Sequence, residues 1–395
     1  MSEWKKMKLG DIASAIQTGP FGSQLHQSDY SDVGTPVVMP KDIVCGKIDV
    51  SAIARVESHH VERLSRHKIN EGDILYARRG DVGKCAYTDK SQTGWLCGTG
   101  CLRVTVDKAK AMPEFVFFQL QKKDTVGWVE KHAIGATMLN LNTSILSNVP
   151  IELPSLSTQH SIATILSRYD SLIENYQKQI KLLEEAAQRL YKEWFVDLHF
   201  PGHEHTKTAD GVPEGWEKKR LIDLVDVQYG YAFDGKLFNN NGEGMPILRI
   251  RNIPDGITSD YTTEEASPNY IVHDGDIVVG MDGIFHINSW NGGDAYLVQR
   301  ACSFRPKEEN TRGFVFQAIQ EPIKYFEQTL VGATVAHLGK KHIDSIELLV
   351  PANKDLYIPF QRGFMQRQAL LSQIRFLTEA RDRLLPKLMS GEIAV

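Results

Sequence analysis

The same series of short motifs occurs twice along this chain, in the same order. Three pairs carry the repeat: WKKMKLGDI at 4–12 and WEKKRLIDLV at 216–225, NEGDIL at 70–75 and HDGDIV at 273–278, and GATMLNL at 135–141 and GATVAHL at 332–338. Each copy then reaches an aliphatic stretch that ends in proline, at Pro154 and at Pro351, and enters a long amphipathic segment. A repeat with a period of about two hundred residues predicts two similar globular units, each followed by a helix.

Length and composition allow two ordinary domains. The chain has 395 residues, with 42% hydrophobic and 24% charged residues, as expected of globular proteins. The N-terminal sequence lacks the apolar core of a signal peptide, and no apolar run is long enough to span a bilayer. The five cysteines are odd in number and mostly scattered, which suits free thiols in a reducing compartment. We therefore expect a cytoplasmic protein without membrane contact.

The distribution of charge is uneven. The formal net charge is −4, and its regional balance is +2 for 1–155, −1 for 156–199, −8 for 200–358 and +3 for 359–395. Global charge therefore gives no support for nucleic-acid binding. If the ligand is a nucleic acid, the positive potential must be local or must come from a partner.

The segment after Ser157 has the periodicity of a coiled coil. Apolar residues alternate at spacings of four and three over more than four heptads, which is the pattern of an a/d seam. They are Ile162, Leu166, Tyr169, Ile173, Tyr176, Ile180, Leu183, Ala187, Leu190 and Trp194. A helix of about forty residues is roughly 60 Å long, and nothing inside one domain needs such a rod.

A second helix of similar phase begins near Pro359. Arg367 and Arg381 fall on or near its seam and weaken it, and Pro386 is predicted to kink or end it. We expect the two helices to pack on each other antiparallel and to hold the globular units at opposite ends. The alternative is that each helix packs on its own domain.

We predict an α+β fold for each unit. Strands are expected at 73–77 and 276–279 after Gly-Asp turns, and helices at 112–121 and 311–320. The resulting division is a first domain at 1–155, a central long helix at 156–200, a second domain at 201–358 and a distal long helix at 359–395.

No motif in the chain indicates catalysis. A P-loop, a dinucleotide-binding fingerprint, an amino-methyltransferase box and a nuclease-like acidic cluster are all absent from the sequence. His199, His203 and His205 have the spacing of metal ligands, but no cysteine or carboxylate completes a set, and Cys97 and Cys101 lack a second pair. We expect no catalytic residues, no cofactor and no metal.

The ordered motifs resemble the specificity subunit of type I restriction–modification enzymes. The resemblance lies in the W-x₄-L-x-D-[IL] openings, the Gly-Asp strands and the GAT segments, in WFVDLHFPG…VPEGW at 194–216, and in LTEARDRLLPKLMSGEI at 377–393. It covers essentially the whole chain and implies two target recognition domains, each reading one half of a bipartite asymmetric site in double-stranded DNA. It further implies that the helices set the gap and dock two methyltransferase subunits, that restriction–translocation subunits join through the complex, and that this chain is non-catalytic. The alternative is a coiled-coil adaptor whose units bind protein.

Candidate DNA contacts in the first unit follow the strand at 73–77. Arg78 and Arg79 come directly after it and Lys84 follows one turn later, and forked guanidinium groups are the side chains that read guanine in the major groove. The loop TGPFGSQ at 18–24 allows close approach to a phosphate. The candidate DNA contacts in this loop are Thr18, Gly19, Ser23 and Gln24. Lys41, outside the loop, is a weaker candidate.

The second unit lacks the double arginine, because Met281 and Asp282 follow its strand. Arg249 and Arg251, read as alternate residues of a strand, would share one face, with Asn252 beside them. Further candidates are Tyr229, Tyr231, Lys236, Lys340 and Lys341. The alternative for each candidate is a solvated surface side chain. A duplicated frame with unlike loops predicts two different half-sites, not a palindrome.

Overall fold

The chain divides into two compact units. The computed structural model describes residues 4–135, 138–330 and 336–395. The first unit comprises Met1–Ser171 and Thr378–Val395, and the second comprises Leu172–Leu377. Part of each GAT segment lies outside the described residues, namely 136–137 in the first and 332–335 in the second.

Two antiparallel-rich sheets build the first unit. One has the strand order β2-β11-β8-β9 and is antiparallel throughout, and the other has the order β10-β4-β7-β3 with a parallel β10–β4 pair. β1 pairs with β12, and β5 pairs with β6. The strands are β1 (Lys5–Lys8), β2 (Ala13–Thr18), β3 (Tyr30–Ser31), β4 (Thr35–Val38), β5 (Ile43–Val44), β6 (Lys47–Ile48), β7 (Ala54–Val56), β8 (Asp73–Ala77), β9 (Cys85–Tyr87), β10 (Leu96–Cys97), β11 (Cys101–Val106) and β12 (Pro150–Leu153).

The second unit repeats this topology. Its sheets have the orders β16-β24-β21-β22, again antiparallel, and β17-β19-β18-β23-β20, again with one parallel pair, β18–β23. The added edge strand β20 is the main difference. The strands are β13 (Thr208–Ala209), β14 (Val212–Pro213), β15 (Trp216–Arg220), β16 (Val225–Tyr229), β17 (Phe238–Asn239), β18 (Met245–Leu248), β19 (Tyr261–Thr262), β20 (Ile271–Val272), β21 (Ile277–Gly280), β22 (Ile287–Ser289), β23 (Ala295–Leu297), β24 (Ala301–Pro306) and β25 (Glu347–Pro351).

The helices agree with the predicted pattern, since the expected helices at 112–121 and 311–320 correspond to α3 and α8. The α+β prediction is confirmed. The helices are α1 (Leu9–Ile12), α2 (Ser58–Arg63), α3 (Pro113–Leu120), α4 (Lys123–His132), α5 (Thr143–Ser147), α6 (Leu156–Tyr191), α7 (Leu221–Leu224), α8 (Arg312–Ala318), α9 (Gln320–Thr329), α10 (Lys340–Asp344) and α11 (Ile358–Met389).

The central strands β8 and β21 are buried on both faces. Alternate side chains of a strand point to opposite sides of the sheet, so Ile74 and Tyr76 join one apolar cluster while Leu75 and Ala77 join another. In β21, Ile277 and Val278 divide in the same way. These doubly covered strands fix the position of the residues that follow them.

The long helices α6 and α11 pack antiparallel within each unit. In the first unit Ile162 and Leu166 share a cluster with Leu388 and Met389. In the second unit the rings of Tyr191 and Phe360 are 6.2 Å apart. The predicted antiparallel coiled coil is therefore confirmed. Each helix is also anchored near its start, because Gln159 Oε1 accepts a hydrogen bond from the Met112 N–H and Gln361 Oε1 accepts one from Gly313.

The two arginines that interrupt the seam have partners on the facing helix. Arg367 Nε lies 2.6 Å from Glu184 Oε1 in the second unit, and Arg381 Nη1 lies 2.7 Å from Asp170 Oδ1 in the first. They therefore bridge the helices where a weaker seam was expected. α11 also continues through Pro386 and ends at Met389, so the proline does not terminate it.

Candidate nucleic-acid interface

A backbone frame of three hydrogen bonds surrounds the turn that follows β8. The Arg78 N–H donates to Gly100 O at 2.8 Å, Arg78 O accepts from the Leu141 N–H at 2.8 Å, and the Gly80 N–H donates to Leu139 O at 3.2 Å. The turn at 78–80 is thereby tied to two neighbouring loops, the one that precedes β11 and the one that precedes α5.

The turn after β21 has the same three bonds. The Met281 N–H donates to Arg300 O at 2.8 Å, Met281 O accepts from the Leu338 N–H at 2.7 Å, and the Gly283 N–H donates to Ala336 O at 2.9 Å. We call 78–80 and 281–283 the matched turns. The matched turns have the same backbone surroundings and both end in glycine, but their first two residues differ, Arg78 and Arg79 in one and Met281 and Asp282 in the other.

The first matched turn presents two guanidinium groups. Arg78 lies over the ring of Phe21, with its guanidinium carbon 5.7 Å from the ring centroid, a distance suited to a cation–π contact. Phe21 is 51% exposed and Arg79 is exposed. Arg78 Nε is buried without a hydrogen-bond partner in the described part of the chain. The predicted arginines therefore share this surface with an exposed aromatic ring.

The loop at 18–24 positions that ring. Thr18 ends β2, and the Gly19 N–H donates to Cys101 O at 2.9 Å. Gln24 Oε1 accepts from the Phe21 N–H at 3.1 Å, while the Gln24 N–H donates to Phe21 O at 2.7 Å. Gln24 and Gly19 thus shape the loop, and Ser23 is exposed on it.

Two of the predicted lysines have partners nearby. Lys84 Nζ lies 3.1 Å from Asp81 Oδ2 across a tight turn, and Lys41 Nζ lies 3.4 Å from Ala52 O. Lys41 is nevertheless near the first matched turn, because its neighbour Pro40 borders Gly100. The exposed cations around this turn are Arg79, Lys84, which pairs with Asp81, and, at its edge, Lys41.

A carboxylate occupies the centre of the second matched turn. Asp282 Oδ1 lies 2.5 Å from His337 Nδ1, and Asp282 Oδ2 lies 3.2 Å from Arg300 Nε. The side chain of Arg300 is 68% exposed, whereas that of Asp282 is only 19% exposed. Sequence reasoning missed Arg300 and His337. Aligning β24 with β11 would have found Arg300, because it stands where the first unit has Gly100.

The strand assignment for 249–252 is wrong. β18 ends at Leu248, and residues 250–252 form a 3₁₀ turn. The N–H of Arg249, which precedes this turn, donates a hydrogen bond to Asn252 Oδ1 at 2.9 Å. Arg249 and Arg251 therefore do not share a strand face. Arg251 Nη2 lies 2.6 Å from the buried Asp260, and Arg249 lies 5.3 Å from the centroid of Phe238. The amide of Asn252 caps the turn, so its oxygen is already engaged.

The remaining candidates of the second unit lie in two places. Tyr229 ends β16 and is half-buried, and burial raises its pKa to about 12. Tyr231 packs between Phe233 and Tyr270, with ring centroids 4.8 and 5.1 Å away. Lys236 lies in a 3₁₀ turn, while Lys340 and Lys341 are exposed in the first turn of α10, directly after His337 and Gly339. Lys340 and Lys341 lie beside the second matched turn. The backbone at 229–231 borders the loop that precedes β24, because the Gly230 N–H donates to Ala301 O and Tyr231 O accepts from the Gln299 N–H.

Metal-binding clusters, membrane spans and disulfides are not found in the described part of the chain. Within that part, no group of three or more histidine, cysteine or acidic side chains has metal-binding geometry, and no helix is long and apolar enough to cross a membrane. All five cysteines are free thiols, and only Cys45 is exposed.

Comparison with known proteins agrees with the duplicated architecture. The family model described as the type I restriction modification DNA specificity domain matches residues 1–185 and 213–361. Among curated relatives, the MjaIX specificity subunit of Methanocaldococcus jannaschii is 25% identical over all of this chain and 94% of its own length. The HindI specificity subunit of Haemophilus influenzae is 23% identical over the full length of both chains.

A solved structure shares the fold. The crystal structure of the type I restriction–modification S subunit from M. genitalium is 18% identical, covers 98% of this chain and 96% of that one, and superimposes with a TM-score of 0.60. The family model covers both halves of the repeat, each with its own matched turn. The chain therefore belongs to the family of type I restriction–modification DNA specificity subunits.

Proposed function

We propose that this chain selects the DNA sequence on which a type I restriction–modification complex acts, with each unit reading one half of a bipartite, asymmetric site. Within such a complex the specificity subunit is a non-catalytic component. Its DNA-reading task implies work in the cytoplasm, beside the genome.

The observation that carries this proposal is the pair of matched turns. Each turn is held by three equivalent backbone hydrogen bonds, so both units present side chains from the same place in the frame. The first presents Arg78 and Arg79, and the second presents Asp282 with Arg300 and His337. Base edges in the major groove differ in their donors and acceptors, so these unlike sets recognise unlike sequences. If the two turns served only to hold the fold together, their equivalent positions would not need such different side chains.

The other predicted contacts keep supporting roles in this proposal. Gly19 and Gln24 shape the loop that carries Phe21, and Thr18, Ser23 and Lys41 lie beside it as candidates for phosphate contacts. Lys340 and Lys341 are the corresponding candidates beside the second turn.

The long helices are proposed to dock two methyltransferase subunits, through which the restriction–translocation subunits join, and to set the gap between half-sites. Helical residues of the second unit leave large apolar side chains exposed, which supports a docking role. They are Leu172, Leu182, Met365 and Phe376, between 45% and 65% exposed.

Mapping of modified adenines in a host genome tests the proposal. Cells that express a type I methyltransferase from the same operon together with this chain should carry modification at one motif, and cells with the methyltransferase alone should not. The catalytic subunit provides the matched control, because only the specificity subunit differs. Identical modification patterns with and without the chain would favour the protein-binding adaptor instead.

A further inference from the structure

We propose that Arg300 is the specificity-determining residue of the second unit and that Asp282 positions it. This inference rests on the function proposed above, since it names the group that reads one half-site. It replaces Arg249 and Arg251 as the leading candidates of that unit.

The backbone at Arg300 is the first argument. Its φ is +72°, in the left-handed region that residues with a side chain rarely adopt. The equivalent residue of the first unit is Gly100, with φ of +87°. The carbonyl oxygens of Gly100 and Arg300 each accept a hydrogen bond from the first N–H of their matched turn. The carbonyl oxygens of the next residues, Cys101 and Ala301, accept from the N–H groups of Gly19 and Gly230, respectively. The frame therefore requires this conformation, and glycine is the residue that fits it best.

An arginine at a position that favours glycine needs a reason outside the frame. Its side chain is 68% exposed, so burial in the core does not explain it. Unfavourable backbone conformations persist where a side chain must be presented at one point. The first unit thus presents arginines from its matched turn, whereas the second unit presents Arg300 from the loop that is hydrogen-bonded to its matched turn.

Asp282 lies within ion-pair distance of that arginine. One carboxylate oxygen lies 3.2 Å from Arg300 Nε, and the other lies 2.5 Å from His337 Nδ1. The shortest contact of this ion pair is at Nε, and no acceptor in the described part of the chain bonds to the two terminal nitrogens, which are left for a ligand. A planar fork of two N–H groups matches the O6 and N7 acceptors of guanine. The geometry therefore fits a G·C pair in the half-site of the second unit.

The earlier candidate Arg251 is already occupied. Arg251 donates from Nε and Nη2 to both oxygens of Asp260, at 3.1 and 2.6 Å, and the carboxylate is buried. That pairing closes the fork of Arg251 on a structural partner.

The test uses the whole chain with its methyltransferase and compares the unmodified protein with Arg300→Gly, Arg300→Lys and Arg220→Ala. Arg300→Gly restores the residue that the backbone prefers, so the thermal midpoint should not fall. Arg300→Lys keeps the charge and loses the fork. Arg220→Ala removes another exposed arginine, 57% exposed against 68% for Arg300, that also pairs with an aspartate, Asp223, and serves as the matched control.

Modified adenines are mapped genome-wide for each variant. We expect Arg300→Gly and Arg300→Lys to lose discrimination at one G·C pair of one half-site, by roughly ten-fold to a hundred-fold, while the other half stays unchanged. Arg220→Ala should give the unmodified consensus. An unchanged consensus in both Arg300 variants overturns the inference, and so does a uniform fall in modification, which is the result of losing a phosphate contact. If the unmodified chain directs no modification, the proposed function itself fails.

Discussion

Gly19 and Gly230 show how strongly single residues constrain the frame. A Cβ atom on Gly19 would lie 2.0 Å from Gly98 O, and one on Gly230 would lie 2.2 Å from Val298 O. In both units the chain therefore passes directly against a neighbouring loop, at the point where the N–H of the glycine bonds to the strand behind it. Neither position tolerates a side chain without a shift of the backbone.

A pair of alanine substitutions tests this requirement. Gly19→Ala should lower the free energy of unfolding by about 1–3 kcal/mol, because the new methyl group collides with backbone and not with a flexible side chain. Gly22→Ala, in the same loop, should change it by less than about 0.5 kcal/mol, since nothing lies within 4 Å of its Cβ position. Urea unfolding of both variants measures the difference. Equal losses would contradict the close approach.

At this scale the sequence identified part of the candidate site. Arg78 and Arg79 were predicted because they follow a recognisable strand, and the absence of a second arginine pair was visible at Met281 and Asp282. Arg300 was missed because its meaning depends on a hydrogen bond between loops that are distant in sequence. The strand assigned to 249–252 was wrong because Asn252 caps a turn there, which local alternation of residue types does not reveal.

The long helices are held in register by polar contacts as well as by their apolar seam. Arg367 contacts Glu184, Asn288 and Ser289 and lies over the ring of Phe316. Arg381 contacts Asp170 and the adjacent Asp382 and is more exposed. The two arginines are two heptads apart, as are their acidic partners on α6, so both bridges fit one antiparallel register.

Removal of these arginines should have unequal effects. Arg367→Ala should lower the free energy of unfolding by about 2–3 kcal/mol, because it leaves several partly buried polar groups without their partner. Arg381→Ala should cost about 1 kcal/mol or less, since Arg381 is more exposed than Arg367 and one of its two partners, Asp382, is 61% exposed. Chemical denaturation compares the two. A larger loss for Arg381→Ala would contradict the argument that the more buried contacts of Arg367 contribute more to stability.

Element prediction succeeded where periodicity was strong. The a/d pattern of α6 and the Gly-Asp strands β8 and β21 were found because burial imposes regular spacing. The strand orders were beyond sequence reasoning, because short strands such as β10 and β23 pair in parallel with partners far along the chain. The duplication nevertheless implied that whatever topology one unit has, the other shares.

The charge of the whole molecule limits what it does alone. The net charge is −4, and the region 200–358 carries most of the negative excess. Binding to DNA depends on neutralised phosphates and weakens with salt, so the isolated chain should bind its site weakly and with a strong salt dependence. Addition of the methyltransferase should tighten binding at least ten-fold, measured by fluorescence anisotropy on a duplex carrying the mapped motif. Tight binding by the isolated chain would contradict this expectation.

The helices connect the units and provide a way to change the gap. Matched insertions of one heptad after Ser171 in α6 and after Leu377 in α11, at the boundary of the units, preserve the seam and the contacts inside each unit. Seven helical residues add about 10 Å, which corresponds to roughly three base pairs of DNA. The methylated motif should keep both halves and gain a gap longer by about that amount. An unchanged gap would exclude the spacer role of the helices.

We infer that one duplicated frame in this chain carries two different readers. The most direct measurement is single-molecule sequencing of modified adenines in cells that express this chain with its methyltransferase. We predict a motif of two unlike halves separated by a fixed unread gap, with a guanine in the half altered by Arg300→Gly. A palindromic or continuous motif would contradict this inference, because a palindrome requires both units to recognise the same bases and a continuous motif leaves no gap between them.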